Sequence, residues 1–490
     1  MKEPVVIALD LGTTGNRAIA FTKDGRPVAQ SYYEFPQIFP QAGWVEHDPA
    51  QILSTTLQAL GDVLKTVGAD QVTSIGITNQ RETAILWDRR TGQPVHHAIV
   101  WQDRRTQDMC RALKAHAAKV KAKTGLFLDP YFSATKIRWM LEHVPDLRER
   151  AERGEILFGT PETWVLWNLS GRRIHATEPS NASRTLLFDL KTCAFDPGLL
   201  KLFGIPPAIL PEVRSSDSSF GTTDPAIAGR EIPILGILGD QQAALFAQAG
   251  WEQGVIKATY GTGIFVLTGT QEKMCRSDRL ITTIGWKLGK KVTYALEGSV
   301  FMGGASLQWM RDHLKILSKA SESEAIAARL PDNDGVYLVP AFQGLGAPYW
   351  DPSARAVIVG LSRKATSDHL IRAAVEAMAY QVQDVIGAMH KAQGTAYRTL
   401  RVDGGASANN FLMQFQADIS RVSIERPALV ELTAFGAAGI SGLASGFWKL
   451  EDYKALYRTD RVFRPAMSEA AAARSYSKWK EAVTKSFGWA

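Results

Sequence analysis

The chain has 490 residues, too many for one hydrophobic core, so two or more domains are expected. Hydrophobic residues make up 45% and charged residues 21%, the balance of a globular protein, which excludes a disordered or fibrous chain. The net charge of +7 suits anionic small molecules such as nucleotides. Its scatter among acids, as in residues 104–123, which read as a solvated helix face, argues against nucleic acid, whose binding needs a concentrated basic stripe. Cys110, Cys193 and Cys275 are odd in number and far apart, without C-x-x-C spacing, so neither a disulfide framework nor a cysteine zinc site is expected. The first strand starts almost at Met1, leaving no room for a signal peptide, and no run reaches the ~20 apolar residues that span a bilayer. A reducing, cytoplasmic protein without membrane insertion is the expectation.

Val5 to Leu9 is a β-branched and aliphatic run ending in Asp10, which predicts a strand buried on both faces. Arg17 to Thr22 predicts a second strand, and Asp24-Gly25 a hairpin turn into a third near Val28 to Tyr33. Between the first two lies "GTTG". Neither G-x-G-x-x-G nor G-x-x-x-x-G-K-[ST] occurs in the chain, so the phosphate-binding candidate is a turn between strands, with Gly12 closing it and Thr13 and Thr14 at its tip. Backbone N–H groups and threonine hydroxyls there suit phosphate oxygens, and Asp10 suits a metal ion. An ordinary glycine hairpin is the competing reading.

Asp48, Pro49 and Gln51 predict a helix start with a capping box. "VTSIGITNQRE" predicts a strand ending at residues 79–82, followed by a further strand at "TAILWD". At "PILGILGDQQAALF" a strand runs into a helix beginning around Gln241. Alternation of this kind points to α/β layers. "VIKATYGTGIFVLTGT", residues 255–270, then repeats the strand, Gly-Thr turn, strand device of residues 5–22. Two related halves facing each other across a polyphosphate would produce that repetition. A third glycine turn, Gly404-Gly405, follows the strand at Leu400 to Val402 and precedes a helix with Ser407 as N-cap and Phe411, Leu412 and Phe415 on its core face. Paired glycines let a base or ribose approach the backbone, with Asn409 offering hydrogen bonds.

Asp240 stands where a buried strand gives way to a helix, the end of an α/β sheet at which ligands gather. A general base and an N-cap both fit, and a helix N-terminus favours the ionised carboxylate in either role. Arg81 and Glu82 together match neighbouring hydroxyls of a polyol, which donate and accept. Because adjacent strand residues face opposite ways, both can serve one ligand only if the strand has ended before them.

The stretches "ALDLGTTGNR", "GWVEHDP", "GITNQRETAILWD", "IVWQDRR", "DPYFSATK", "NASRTLLFD", "GDQQAALF", "TYGTGIF", "FMGGASLQW", "GLGAPYWDP" and "RVDGGASANNFLMQFQADI" closely resemble the FGGY carbohydrate kinase family. "NQRE" and "DPYFSATK" look like the versions carried by its members that act on glycerol. The resemblance implies an α/β chain of two ribonuclease-H-like domains in the actin-like ATPase fold, closing on an interdomain cleft. Residues 1–248 would be the N-terminal FGGY domain, with the polyol site and first phosphate loop. Residues 249–490 would be the C-terminal domain, with the nucleotide site. The implied activity is ATP-dependent phosphorylation of glycerol to sn-glycerol 3-phosphate, with glycerol, ATP/ADP and Mg²⁺ bound and a dimer or tetramer of like chains. Carried over by position, Asp240 resembles the base. Arg81, Glu82, Tyr131, Asp240 and Gln241 resemble the hydroxyl-binding set, and Trp101 and Phe265 the apolar wall. Thr13, Thr14, Arg17, Thr262, Gly304, Gln308, Gly405 and Asn409 match nucleotide contacts, and Asp10 the residue near Mg²⁺.

There are departures from the family pattern. Leu11, Gly15 and Asn16 stand where many relatives have Gln, Ser and Ser, which predicts one missing hydroxyl contact to phosphate, and Glu162 replaces a more usual Asp. Residues 221–231 lack the glycine-rich basic run and the histidine through which some relatives are regulated. The basic, amphipathic terminal helix is expected to pack on its domain. A kinase for another small polyol or ketose, and an actin-fold ATPase that is not a kinase, remain the rival readings.

Overall fold

The computed structural model describes residues 3–248 and 250–489. Val5–Leu11 (β1), Gly15–Phe21 (β2), Pro27–Glu34 (β3), Val72–Asn79 (β4) and Ile234–Gly239 (β5) form one sheet, in the order β5-β4-β1-β2-β3. β1, β2 and β3 are an antiparallel meander, and β4 and β5 add in parallel. The run predicted to be buried on both faces is so, and alternate residues explain it. Val5, Ile7 and Leu9 pack with Ile52, Leu60 and Val63 of helix Pro49–Val67 (α1), while Val6 and Ala8 pack on the other face. Asp48 caps α1, accepting from the Ala50 N–H at 2.8 Å. The expected capping box is not completed, because Gln51 bonds back to Asp48 through its backbone N–H.

The second sheet repeats the device. Val255–Tyr260 (β6), Ile264–Gln271 (β7), Ile281–Leu288 (β8), Lys291–Val300 (β9), Thr399–Asp403 (β10), Ser423–Pro427 (β11) and Thr459–Phe463 (β12) lie in the order β8-β9-β7-β6-β10-β11-β12. β6 and β7 are again an antiparallel hairpin, with β10 and β11 parallel to β6 on its other side. Asp240–Ala247 (α2) follows β5, and helices Ser367–Gln393 (α3), Asn410–Ser420 (α4), Leu432–Ala444 (α5) and Glu469–Thr484 (α6) belong to the second half. α3, α4 and α6 cover the second sheet, with Phe415 and Trp479 in one core with Ile256 and Tyr260. The terminal helix α6 therefore packs on its domain as expected.

α2 and α5 lie between the two sheets. Leu245 and Phe246 of α2 share a core with Leu267 and Trp286 of the second sheet, and Ala434, Ala437 and Ile440 of α5 with Val6 and Ala8 of the first. Each half thus lends a helix toward the other. The approach requires glycine: a Cβ at Gly436 would sit 1.9 Å from the Ala243 carbonyl oxygen, and one at Gly76 2.0 Å from that of Ala437. Residues 104–123 depart from a solvated face at their start. The Arg105 side chain is buried, 2.7 Å from Glu46 and 2.8 Å from Asp103, with its guanidinium 3.7 Å from the Trp44 ring centroid.

Candidate active site

The turn between β1 and β2 closes on a Gly12 N–H to Gly15 carbonyl bond of 3.1 Å. Thr13 Oγ1 accepts from Trp101 Nε1 at 3.0 Å, which ties the loop to the expected apolar wall. Thr14 is exposed at the tip. Arg17 projects from β2 to pair with Glu431, just before α5, so the second half reaches the first loop. Burial pushes the Asp10 carboxyl up to about 7 against the pull of Arg17, with Asp240 and Glu431 adding to the rise. Leu11 and Asn16 face away: Leu11 is core, and Asn16 Nδ2 donates to the Ile52 carbonyl and to Thr55 Oγ1, each at 2.8 Å.

β4 ends at Asn79, and Glu82 has a φ of 61°, so the chain has left the strand where sequence reasoning required it to. Arg81 and Glu82 both turn inward and are buried. Arg81 Nη1 lies 2.6 Å from Glu297 Oε2 on β9 and 3.2 Å from Gln242 Oε1, and its Nε is 3.2 Å from Asp240 Oδ1. Arg184 Nε donates to Glu82 Oε1 at 2.5 Å, and Arg184 Nη2 to Glu297 Oε1 at 2.8 Å. The result is a buried array of alternating sign that joins the halves. Burial would raise the Glu297 carboxyl, but Arg184 and Arg81 outweigh it and bring it down to about 2. Burial raises Glu82, and the same guanidiniums only partly offset it.

Glu82, Tyr131 and Asp240 all lie close enough to Arg81 to act on its charge, and each keeps a polar atom over. Asp240 Oδ1 takes Arg81 Nε and the Gln241 N–H at 2.6 Å, while Oδ2 has no hydrogen bond among the described residues. Glu82 Oε2, the Tyr131 hydroxyl and Gln241 Nε2 are free in the same sense, the Gln241 Oε1 being held by Lys257 Nζ at 2.5 Å. Trp101 meets Tyr131 edge-on at 5.8 Å and Phe265 of β7 at 6.1 Å, so the aromatic wall also spans both halves. Asp240 opens α2 with Gly239 as the N-cap, one residue from the expected assignment.

In the second half, the Thr262 carbonyl accepts from the Gly303 N–H at 2.8 Å, and the Gly304 N–H donates to the Gly261 carbonyl at 2.9 Å. Gly404 has a φ of 85° and packs on the Tyr260 backbone, where a Cβ would lie 2.6 Å from its carbonyl oxygen. Thr262, Gly304 and the Gly404-Gly405 turn are therefore gathered around the end of β6. Gln308 is exposed one turn beyond Gly304. The expected N-cap Ser407 is displaced: residues 405–408 form a short 3₁₀ turn, and Asn409 caps α4 with its side chain, accepting from the Leu412 N–H at 2.9 Å. Its Nδ2 is 3.2 Å from Ser323 Oγ, so both polar ends of Asn409 are engaged.

Glu297, Arg184, Lys257 and Glu431 carry no assignment from the sequence. Glu297 had a signal, a single acid inside the apolar strand "TYALEGSV". Lys257 is likewise one buried cation in β6, its ammonium pushed down by burial. A charge in a strand buried on both faces requires a partner, which neither residue names.

Two family models match the chain: the FGGY carbohydrate kinase N-terminal domain over residues 5–247 and the C-terminal domain over residues 256–445. The chain belongs to the FGGY family of carbohydrate kinases. Glycerol kinases that match over their full length are among its relatives. That of Symbiobacterium thermophilum is 52% identical, covering all of both chains, and that of Aquifex aeolicus 51%, covering 99% of each. The crystal structure of Plasmodium falciparum glycerol kinase with ADP, 34% identical, superposes with a TM-score of 0.93 over 99% of each chain.

Proposed function

We propose that this chain transfers the γ-phosphoryl group of ATP to a terminal hydroxyl of glycerol, giving sn-glycerol 3-phosphate, with Asp240 as general base. The observation that carries this reading is the unpartnered Asp240 Oδ2 between the Arg81 array and the first glycine loop, whose Asp10 feels the Asp240 charge. Glu82, Arg81, Tyr131 and Gln241 would bind the hydroxyls, and Trp101 and Phe265 the carbon chain. Oδ2 takes the hydroxyl proton as that oxygen attacks phosphorus in line, the bond to the β-bridging oxygen breaks, and ADP leaves. Arg17 and the Thr-tipped loops would hold the phosphates from the two sides, with Gly304, Gln308, Gly405 and Asn409 toward the nucleoside. Positioning and electrostatics then carry most of the rate.

The described residues contain no group of three or more His, Cys, Asp or Glu suited to a metal. Mg²⁺ in phosphoryl transfer is held by one or two carboxylates, waters and the substrate phosphates, so Asp10, with Asp240 close enough to raise it, fits that donor set. A bound Mg²⁺ would neutralise charge on the phosphates. The domains would divide at residue 248, the reaction would run in the cytoplasm, and the chain would form a dimer or tetramer.

The test is ADP release across a panel of polyols and ketoses. Turnover highest with glycerol is expected. Turnover highest with another polyol or ketose would favour a different substrate in this family, and ATP turnover without any polyol the ATPase rival.

Both Thr13→Ala and Thr262→Ala are expected to lower ATP affinity or turnover. Their double mutant should be non-additive, because both loops would act on one polyphosphate. A double-mutant cycle of nucleotide affinity checks this. Strict additivity would mean that the two loops do not share a ligand.

A further inference from the structure

We propose that the Tyr32 hydroxyl is a phosphate-binding group of the first glycine loop, standing in the space that Gly15 leaves open. This rests on the reading of that loop as the phosphate site. The β2–β3 register sets Tyr32 opposite Arg17 and Glu34 opposite Gly15. From β3, the edge strand of the sheet, Tyr32 reaches along β2 toward the β1–β2 turn, away from the turn at Asp24-Gly25 that joins β2 to β3. A Cβ built on Gly15 would lie 2.7 Å from both the hydroxyl oxygen and the Cζ carbon of Tyr32, and 2.6 Å from the Tyr33 carbonyl oxygen. Gly15 is not in the left-handed region, so its backbone does not demand glycine. Its surroundings do. The Tyr33 carbonyl, fixed in the backbone, bars a side chain at position 15, and the Tyr32 hydroxyl stands against the space so kept open.

Two neighbours give the hydroxyl its setting. Thr14 Oγ1, at the tip of the loop, is 3.4 Å away, and the Arg17 guanidinium stands 5.0 Å from the Tyr32 ring centroid. Tyr32 is 41% exposed, so burial of its ring does not explain why it folds over the turn. A tyrosine on an edge strand needs no ligand, and its hydroxyl ordinarily points to water. Here it joins Thr13 and Thr14 as a third hydroxyl at the turn. A phenol donates one rotatable O–H, and a donor to an ionised phosphate oxygen makes a stronger bond than to the neutral threonine. The hydroxyl contact that Gly15 cannot make would thus come from the neighbouring strand.

Tyr32→Phe keeps the ring and its contact with Arg17 and removes only the hydroxyl. In the full-length protein, calorimetry would measure the affinity for AMP-PNP, an ATP analogue that is not hydrolysed, and for AMP, with Thr13→Ala measured in parallel. Tyr32→Phe is expected to weaken AMP-PNP about tenfold, as loss of one hydrogen bond to a charged group does, while AMP affinity and the KM for glycerol stay unchanged. Wild-type AMP-PNP affinity in Tyr32→Phe beside a clear loss in Thr13→Ala would overturn the role of Tyr32 and leave the loop reading intact. No loss in either variant would overturn both. Equal weakening of AMP and AMP-PNP would mark a general disturbance and also overturn the proposal.

Discussion

Asp240→Asn is expected to fold and to bind glycerol normally while turning over about 10²- to 10⁴-fold more slowly, the range for a positioned general base. The substitution leaves Oδ1 to accept from Arg81 Nε and the Gln241 N–H, so the local frame survives. It replaces the unpartnered Oδ2 with an amide that cannot take a proton. Steady-state kinetics with calorimetric glycerol binding separates the two effects. Near-normal turnover would reduce Asp240 to the residue that opens α2, and a parallel loss of glycerol binding would make it a binding residue only.

Glu297→Ala is expected to have the largest effect on stability. Glu297 is fully buried and pairs with two buried guanidiniums, Arg81 and Arg184. Removing one member of such an array leaves uncompensated charge in the interior, at a cost of about 3–5 kcal/mol. The denaturant midpoint should fall accordingly, and the KM for glycerol should rise, because Arg81 loses the partner that holds it. An unchanged midpoint would show that water or another acid replaces the carboxylate.

The pH dependence follows from the same group. The folded carboxyl at about 2 lies below the unfolded value of about 4.3, so its stabilisation is fully present above pH ~4.3 and is lost as pH falls toward 2. Glu82 acts in the opposite sense, since its raised carboxyl favours the protonated folded form as pH falls. Glu297→Gln should therefore flatten the loss of stability between about pH 4 and 2, which unfolding at several pH values would measure. A slope equal to the wild type's would assign the acid sensitivity to other carboxylates.

Local patterns made much of the fold legible in the sequence. The run at Val5 to Leu9, the Asp24-Gly25 turn and the start of α1 at Pro49 each depend on residues close in the chain. The repeated strand, Gly-Thr turn, strand device at residues 5–22 and 255–270 announced two related halves, because a hairpin needs only its own turn and its own alternation. The helix starts differ by one or two residues from those the sequence predicts: α2 begins at Asp240 itself, after Gly239 and with no side-chain cap, and at α4 Asn409 rather than Ser407 supplies the capping oxygen, because the surrounding packing chooses where the helical turn begins.

By itself the sequence determined the α/β character, the two glycine loops, the strand end that frees Arg81 and Glu82, and the family. Only the tertiary structure decided what those residues meet. Glu297 lies 113 positions from Arg184 and 216 from Arg81, and the three converge because the second sheet closes on the end of the first. Whether Tyr32 lies over Gly15 depends on the β2–β3 register, and whether Asn409 is free depends on a helix it has to cap. The division is physical. Backbone preference and apolar period act between near neighbours, whereas a buried charge is compensated by whichever partner the fold brings within about 3 Å, at any distance along the chain.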